Sequence, residues 1–278
     1  MFSLPPRRTT KVGQAGSLVG FVLAFVLVLF GPVGKALAAE ANIAVASNFS
    51  EVARLLAKLF EQQTVHRLRL SFGSTGKLHA QIKNGAPFAV LLSADQKTPG
   101  LLVADGLAVV NSRFSYAQGK LVMWSASPKR ADRQGQELLQ KLSKGRFRWL
   151  AIANPAFAPY GLAARAALES LGLLERVRPR LVRGESVAQA YQFVASGNAD
   201  LGFVALSQVM RHGRIPNGLV WVVPQTLYPP IRQDAVLLNA GRDNPAAAAW
   251  MSWLQDETAR ALMRQFGYTH QPLVTERH

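Results

Sequence analysis

The chain has 278 residues, a formal net charge of +16 and no cysteine. The absence of cysteine excludes thiol chemistry, iron–sulfur clusters, cysteine-based zinc sites and stabilisation by disulfides. The basic residues are scattered, with no run of five, so the charge is typical of a basic exported protein and does not indicate nucleic-acid binding. The five histidines are far apart in the sequence, which argues against a catalytic metal.

The N-terminal segment, residues 1–38, has the three parts of a secretory signal peptide. Three basic residues precede an apolar run over 18–30, and Ala-Leu-Ala at 36–38 matches the cleavage pattern. The run is shorter than the ~20 apolar residues of a membrane-spanning helix. We therefore expect a cleaved signal peptide, a mature chain that begins at Ala39, and a periplasmic protein.

The mature sequence alternates short apolar runs, which predict β-strands, with amphipathic stretches, which predict helices. The predicted strands cover residues 42–46, 67–72, 88–92, 120–124, 149–153, 180–183, 201–204 and 219–223. The predicted helices cover residues 49–62, 77–83, 162–171, 187–195 and the region 246–266. This order predicts parallel sheets with right-handed crossovers. Because no Gly/Ser linker divides the chain, we expect two lobes between which it crosses more than once.

Four predicted strand-to-helix turns carry small polar residues or glycine, and such turns form the ligand sites of open α/β sheets. They are Ala-Ser-Asn-Phe at 46–49, Gly-Ser-Thr-Gly-Lys at 73–77, Asn-Pro-Ala-Phe-Ala-Pro-Tyr-Gly at 154–161 and Gly-Glu-Ser-Val at 184–187. At a helix N-terminus, free N–H groups and the positive end of the helix dipole favour an anion. One such turn alone is most often an ordinary N-cap, so only the four together suggest an anion site.

These motifs resemble those of periplasmic molybdate-binding proteins, which are solute-binding proteins of ABC transporters. The resemblance rests on the turns at 46–49, 72–78 and 154–161, on Gln-Ile-Lys-Asn-Gly-Ala-Pro-Phe at 81–88, on Leu-Leu-Ser-Ala-Asp at 91–95 and on Phe-Gly-Tyr at 266–268. It implies an α/β, two-lobed periplasmic binding protein fold, in which each lobe is a mixed, mostly parallel sheet flanked by helices. We expect residues 40–119 and 225–278 in lobe one, and residues 120–224 in lobe two.

In the family that the chain resembles, hydroxyl and backbone N–H groups hold a tetrahedral oxyanion between the lobes. The resemblance implies a ligand set here of Ser47, Asn48, Thr75, Tyr160 and Val187. Val187 would contribute its backbone N–H, and Ser74 is the alternative to Thr75. Ala205 stands where some members have a ligand tyrosine, which leaves open whether Asn48 and Tyr160 compensate for it.

The function implied by this resemblance is a receptor that captures molybdate or tungstate and delivers it to a membrane permease. Such a receptor is a monomer, needs no cofactor and catalyses no reaction. A receptor for sulfate, thiosulfate, phosphate or a small organic anion is the alternative, because it would differ only in cleft size and donor count. Lys77, next to the second turn, is expected to extend into solvent rather than pair with the anion.

Enzyme motifs are matched only in part. Ser74-Thr75-Gly76-Lys77 fits the Ser-x-x-Lys motif of penicillin-binding enzymes, but their Ser-Asp-Asn and Lys-Thr-Gly motifs are absent from the sequence. The same stretch lacks the spacing and the final Ser or Thr of a phosphate-binding loop. A secreted serine hydrolase is therefore the weaker alternative, and an acyl-enzyme probe would reveal it.

Overall fold

Two five-stranded mixed sheets form the framework of the molecule. The computed structural model describes residues 1–3, 38–127 and 134–270, so the predicted signal peptide lies almost entirely outside the described residues. The strands are β1 (Glu40–Ala46), β2 (Arg67–Gly73), β3 (Val90–Leu92), β4 (Phe114–Gly119), β5 (Leu121–Ser125), β6 (Leu150–Ala153), β7 (Leu181–Gly184), β8 (Leu201–Ala205), β9 (Leu219–Val222) and β10 (Ile231–Leu237). The helices are α1 (Ser50–Gln63), α2 (Thr75–Lys83), α3 (Lys97–Ala104), α4 (Gln134–Ser143), α5 (Pro159–Ser170), α6 (Leu174–Val177), α7 (Val187–Ala195), α8 (Leu206–Val209), α9 (Pro245–Trp253) and α10 (Glu257–Gln265).

The first sheet has the strand order β2-β1-β3-β10-β4. Its first three strands run parallel, and β10 is antiparallel to both β3 and β4. Successive side chains of β1 point to opposite faces, as the pleat requires. Ile43 and Val45 pack with α1, α9 and α10, whereas Ala44 packs with α2 and α3. The sheet is therefore buried between two helical layers, and we call this half of the molecule the first lobe.

The second sheet has the order β7-β6-β8-β5-β9 and repeats the same plan. Strand β6 is parallel to β7 and β8, while β5 is antiparallel to its neighbours β8 and β9. Buried side chains of α4, α5 and α7, among them Leu138, Leu168 and Val194, join those of the sheet in one core. We call this half the second lobe.

The chain crosses between the two sheets twice. Only Lys120 separates β4 of the first sheet from β5 of the second, and the return runs from β9 to β10. This path sets the turns that follow β1 and β2 against the turns that follow β6 and β7. Gly76 and Phe157 show how closely the lobes meet, because the Gly76 N–H donates to the Phe157 carbonyl at 2.9 Å. A Cβ at position 76 would lie 3.0 Å from the Phe157 Cα, so glycine permits this approach.

The two-lobed α/β class predicted from the sequence is confirmed, with three parallel strands in each mixed sheet. The sequence did not predict β4 and β10, which are the strands next to the two crossings. Helices α2 and α5 also begin earlier than predicted, at Thr75 and Pro159. Each therefore starts inside its polar turn. Within the described ranges, no helix has the length and apolar character needed to cross a membrane.

Candidate functional site

A small cavity with mostly buried lining residues lies where the two lobes meet. Its volume is about 10 Å³, which is space for about one water molecule. It is lined by Ala46, Ser47, Asn48, Ser74, Thr75, Ala94, Ala158, Pro159, Tyr160 and Val187. All five residues of the predicted ligand set line this cavity, and so does the alternative, Ser74. A tetrahedral oxyanion is larger than one water molecule, so the lobes must move apart to admit it.

Helix N-termini from both lobes meet at the cavity. Helix α2 begins at Thr75, α5 at Pro159 and α7 at Val187, and a 3₁₀ turn at Ser47–Phe49 leads into α1. The first N–H groups of a helix have no partner within the helix, and the dipole makes this end positive. Four first turns around one small space can therefore attract an anion without a formal positive charge.

Hydroxyl groups add donors to this site. The Thr75 Oγ1 accepts a hydrogen bond from the Ala94 N–H at 3.1 Å, which leaves its own proton free to donate. Ser74 is the N-cap residue of α2, yet its side chain makes no capping hydrogen bond. Its Oγ is buried and has no partner among the described residues. Ser74 is thus an open hydroxyl rather than an ordinary cap, and both serine and threonine of this turn can serve an anion.

Asn48 and Tyr160 border the cavity, but their side-chain donors point elsewhere. The Asn48 Nδ2 donates to the Gln233 Oε1 at 2.9 Å and to the Tyr268 hydroxyl at 3.0 Å. The Tyr160 hydroxyl is buried next to Gly119, which does not line the cavity, and it has no hydrogen-bond partner among the described residues. An amide nitrogen carries only two protons, so the Asn48 amide has none left for a ligand. What both residues offer the cavity is the backbone N–H of a first turn.

The cavity contains no formal charge, because none of its described lining residues is acidic, basic or histidine. Burial raises the pKa of the neighbouring hydroxyls of Tyr116, Tyr160 and Tyr268 well above the ordinary tyrosine value. These groups therefore remain protonated at neutral pH. No group of three or more His, Cys, Asp or Glu side chains that could hold a metal ion occurs in the part of the chain that the structure describes.

Charged side chains lie at the rim of the cleft and pair across it. Lys77 of α2 lies 2.5 Å from Glu185 in the turn before α7. On the other side, Glu51 of α1 pairs with Arg211 just after α8. Each pair joins the first lobe to the second. Lys77 does not line the cavity and its side chain is 45% exposed, but the sequence did not predict its carboxylate partner.

A buried polar cluster behind the cavity was also missed from the sequence. It contains Gln233, Tyr268, Ser207 and Tyr116, which are 0–4% exposed and form hydrogen bonds with one another or with Asn48. One signal was available, since Gln233-Asp234 interrupts the otherwise apolar Ala235-Val236-Leu237 strand end. Two adjacent polar residues in a strand alternate between its faces, so at least one of them must be satisfied inside the protein.

Known proteins match the chain over nearly all of the described region. The family model of bacterial extracellular solute-binding proteins matches residues 41–269. Molybdate-binding protein ModA of Azotobacter vinelandii is 51% identical over 231 residues, 83% of this chain and 90% of that protein. Molybdate-binding protein ModA of Rhodobacter capsulatus is 46% identical over 233 residues, 84% of this chain and 89% of that protein.

A solved structure agrees with these sequence matches. The periplasmic molybdate-binding protein of Azotobacter vinelandii superposes with a TM-score of 0.78 and 42% identity, and the match covers 84% of this chain and 100% of that one. This confirms the resemblance that the turn motifs indicate. The chain belongs to the family of bacterial extracellular solute-binding proteins, together with these molybdate-binding relatives.

Proposed function

We propose that this protein is a receptor that captures molybdate, and equally tungstate, between its lobes and delivers it to the membrane permease of an ABC transporter. The observation that carries the proposal is the convergence of Ser47, Asn48, Thr75, Tyr160 and Val187 on one uncharged cavity. Two relatives that are named molybdate-binding proteins, at 51% and 46% identity, support it.

The chemistry of the cavity favours a fully deprotonated dianion. Its N–H and hydroxyl groups donate, so an anion that keeps a proton would set its own donor against theirs. A buried unmatched donor costs about 1–3 kcal/mol. Phosphate keeps a proton near neutral pH and is therefore disfavoured. Sulfate has the right charge but is smaller, so it would leave some donors unmet, whereas molybdate and tungstate are nearly the same size.

The proposed ligand set divides into two kinds of donor. Asn48, Tyr160 and Val187 contribute backbone N–H groups of first turns, and Ser47 and Thr75 contribute hydroxyls, with Ser74 as a further hydroxyl in the same turn. Main-chain donors are fixed by the helices that carry them, so they need little reorganisation when the anion binds. We assign no catalytic activity to this site, since no described lining residue is a general base beside a hydroxyl.

The wider assignments follow from the same proposal. The protein acts in the periplasm as a monomer after its signal peptide is removed, and an intact mass that begins at Ala39 would support this processing. Lobe one comprises residues 40–119 and 225–278, and lobe two residues 120–224. Closure of the lobes on the anion forms a joint surface that the permease can recognise.

A thermal-shift screen of oxyanions tests the function. A ligand that binds only the folded state stabilises it by RT ln(1 + [L]/Kd), so molybdate and tungstate should raise Tm at micromolar concentrations. Sulfate, thiosulfate and phosphate should do far less even at millimolar concentrations, with sodium chloride as the control for ionic strength. A sulfate shift equal to the molybdate shift would instead identify a sulfate receptor.

A further inference from the structure

The side-chain nitrogen and the main-chain carbonyl of Asn48 form hydrogen bonds with buried groups that do not line the cavity. Its Nδ2 donates to the Gln233 Oε1 at 2.9 Å and to the Tyr268 hydroxyl at 3.0 Å. Its carbonyl oxygen accepts from the Tyr268 hydroxyl at 3.0 Å and from the Ser207 Oγ at 2.9 Å. The Tyr268 and Ser207 hydroxyls are themselves 3.0 Å apart. The side-chain nitrogen and the main-chain carbonyl are therefore both occupied, and the backbone N–H is the Asn48 donor left for the cavity.

These contacts come from distant parts of the chain. Gln233 lies in the middle of β10 and is fully buried, while Tyr268 follows α10. Ser207 lies in α8 of the second lobe, whereas Asn48 belongs to the first lobe. The hydrogen bond from Ser207 to the Asn48 carbonyl can therefore form only when the lobes are together. The state of the cleft and the orientation of the Asn48 peptide are thus linked through one buried bond.

We propose that Gln233, Tyr268 and Ser207 are positioning residues that aim the Asn48 backbone N–H at the bound oxyanion, with Ser207 completing the arrangement as the lobes close. This inference rests on the proposed function, because it names residues that serve the same site. The opposite assignment is that the side-chain amide of Asn48 donates to the anion itself. Gln233 would then accept the hydrogen bond of this amide only when no anion is bound.

The two assignments predict opposite signs for a change at position 233. Met in place of Gln keeps the volume but removes the acceptor of the Asn48 amide. If Gln233 positions the turn, Gln233→Met weakens molybdate binding about 10-fold in isothermal titration. If the amide is the ligand, removing its competing acceptor leaves the affinity unchanged or raises it, and that result would overturn the inference.

Two buried tyrosines provide a matched pair of variants. Tyr268 and Tyr116 are each 2% exposed, and each packs edge-on against Phe49, with ring centroids 5.2 and 5.0 Å away. Each hydroxyl makes buried hydrogen bonds, but that of Tyr268 contacts Asn48 directly, whereas that of Tyr116 is connected to Asn48 only through Gln233. Tyr268→Phe and Tyr116→Phe should lower the Tm of the ligand-free protein similarly, whereas Tyr268→Phe should weaken molybdate binding several-fold more. Equal losses of affinity would mean that the direct contact of Tyr268 with Asn48 does not position the turn.

Ser207→Ala tests whether Ser207 positions Asn48 in the closed state or contributes only to the stability of the protein. Since the Ser207 bond exists only in the closed state, its loss should raise the molybdate dissociation rate several-fold and leave the association rate unchanged. Ser196→Ala is the control, because the Ser196 Oγ bonds the Gln192 carbonyl within its own lobe. A slower association rate with unchanged dissociation would contradict the role given to Ser207.

The wild-type protein is titrated in the same series, so that a failure of the proposed function can be distinguished from a failure of the inference. If the wild type binds none of the oxyanions, the proposed function is wrong and the inference falls with it. If the wild type binds molybdate and the variants at positions 233, 268 and 207 behave like their controls, the function stands and the inference is wrong.

Discussion

The interior of the cleft and its rim use electrostatics in different ways. The cavity is lined by backbone N–H groups and hydroxyls, and none of its described lining residues is charged. At the rim, Lys77 pairs with Glu185 and Glu51 pairs with Arg211. Each lobe thus supplies one cation and one anion to the rim. The formal charges pair with each other across the cleft, and the described lining of the cavity contains only neutral donors.

This difference predicts where affinity resides. A hydrogen bond to a charged group in a buried site contributes about 1.5–3 kcal/mol, whereas an exposed ion pair contributes about 0–1 kcal/mol. The side chains of Lys77 and Glu185 are 45% and 71% exposed, and those of Glu51 and Arg211 are 44% and 32% exposed, so both pairs are accessible to solvent. Changes in the cavity should therefore alter molybdate affinity strongly, and changes at the rim should alter it weakly.

The largest effect is expected from removing a main-chain donor at Val187. Val187 is the first residue of α7, where proline fits the helix, and Ser186 before it is already extended, with φ −143° and ψ 167°. Val187→Pro thus deletes the N–H with little conformational cost, and its ring occupies the place of the lost hydrogen. We expect molybdate affinity to fall by about 100-fold or more in isothermal titration.

Val187→Ala is the control for that variant, because it removes both methyl groups of the buried side chain but keeps the N–H. It should bind molybdate nearly as tightly as the wild type. If the alanine and proline variants lose affinity equally, the side chain of Val187 matters rather than its main chain, and the role of the α7 N-terminus in the site would have to be abandoned.

The next largest effects concern the cavity hydroxyls. Ser47→Ala and Thr75→Ala should each weaken molybdate binding by roughly 10- to 100-fold, the range for one hydrogen bond to a charged group. Ser74→Ala decides how the second turn works, since its buried Oγ has no partner among the described residues. A larger loss from Ser74→Ala than from Thr75→Ala would make Ser74 the principal hydroxyl there. No loss from any of the three would refute a hydroxyl-lined site.

The sequence predicted the local features of this site well. A strand followed by a small polar turn and an amphipathic helix is specified by neighbouring residues, so the turns at Ser47 and Thr75 could be identified from the printed chain. That the turns meet at one cavity came from the family resemblance, because spacing along the chain does not fix the distance between Thr75 and Val187. Hydrophobic periodicity predicted the strands and helices, and the family resemblance implied that their turns meet at one site.

The features that the sequence did not predict depend on contacts between distant residues. Strands β4 and β10 contain polar residues such as Gln118 and Gln233, so their alternation is weak, although β10 lies between β3 and β4 inside the first sheet. Asn48 reaches Gln233 and Tyr268, which are 185 and 220 residues away. Neither the partner of the Asn48 amide nor that of Lys77 can be inferred from local patterns, because tertiary packing selects them.

A small effect is expected from breaking a rim pair. Lys77→Gln and Glu185→Gln remove the same ion pair and should each weaken molybdate binding by about threefold or less, mainly through faster dissociation. The effect should shrink as salt rises, since the Debye length is about 10 Å at 0.1 M. Lys83→Gln is the matched control, because Lys83 pairs with Asp105 within the first lobe at 3.1 Å.

Two results for the Lys77 and Glu185 variants would contradict the prediction for the rim. If Lys77→Gln costs more affinity than Ser47→Ala at both low and moderate salt, Lys77 contacts the ligand and the separation between a charged rim and a neutral interior is wrong. If Lys77→Gln and Glu185→Gln differ strongly from each other, the two side chains do not act as a pair in solution.

The smallest expected effect is that of pH. Tyr160 is the one described lining residue with a titratable side chain, and burial raises its pKa, like those of Tyr116 and Tyr268, above the ordinary value of 10.0. A raised tyrosine pKa means that the folded state keeps the proton, so its contribution to stability is complete below the unfolded pKa and is lost only above it. Molybdate affinity should therefore be flat between about pH 6 and pH 9, a range below the ordinary tyrosine pKa of 10.0.

Titration calorimetry across this pH range checks the prediction, with buffers of different ionisation enthalpy to detect proton uptake. A tenfold change of affinity per pH unit would require a titrating group at the ligand, and the neutral-donor site would not survive that result.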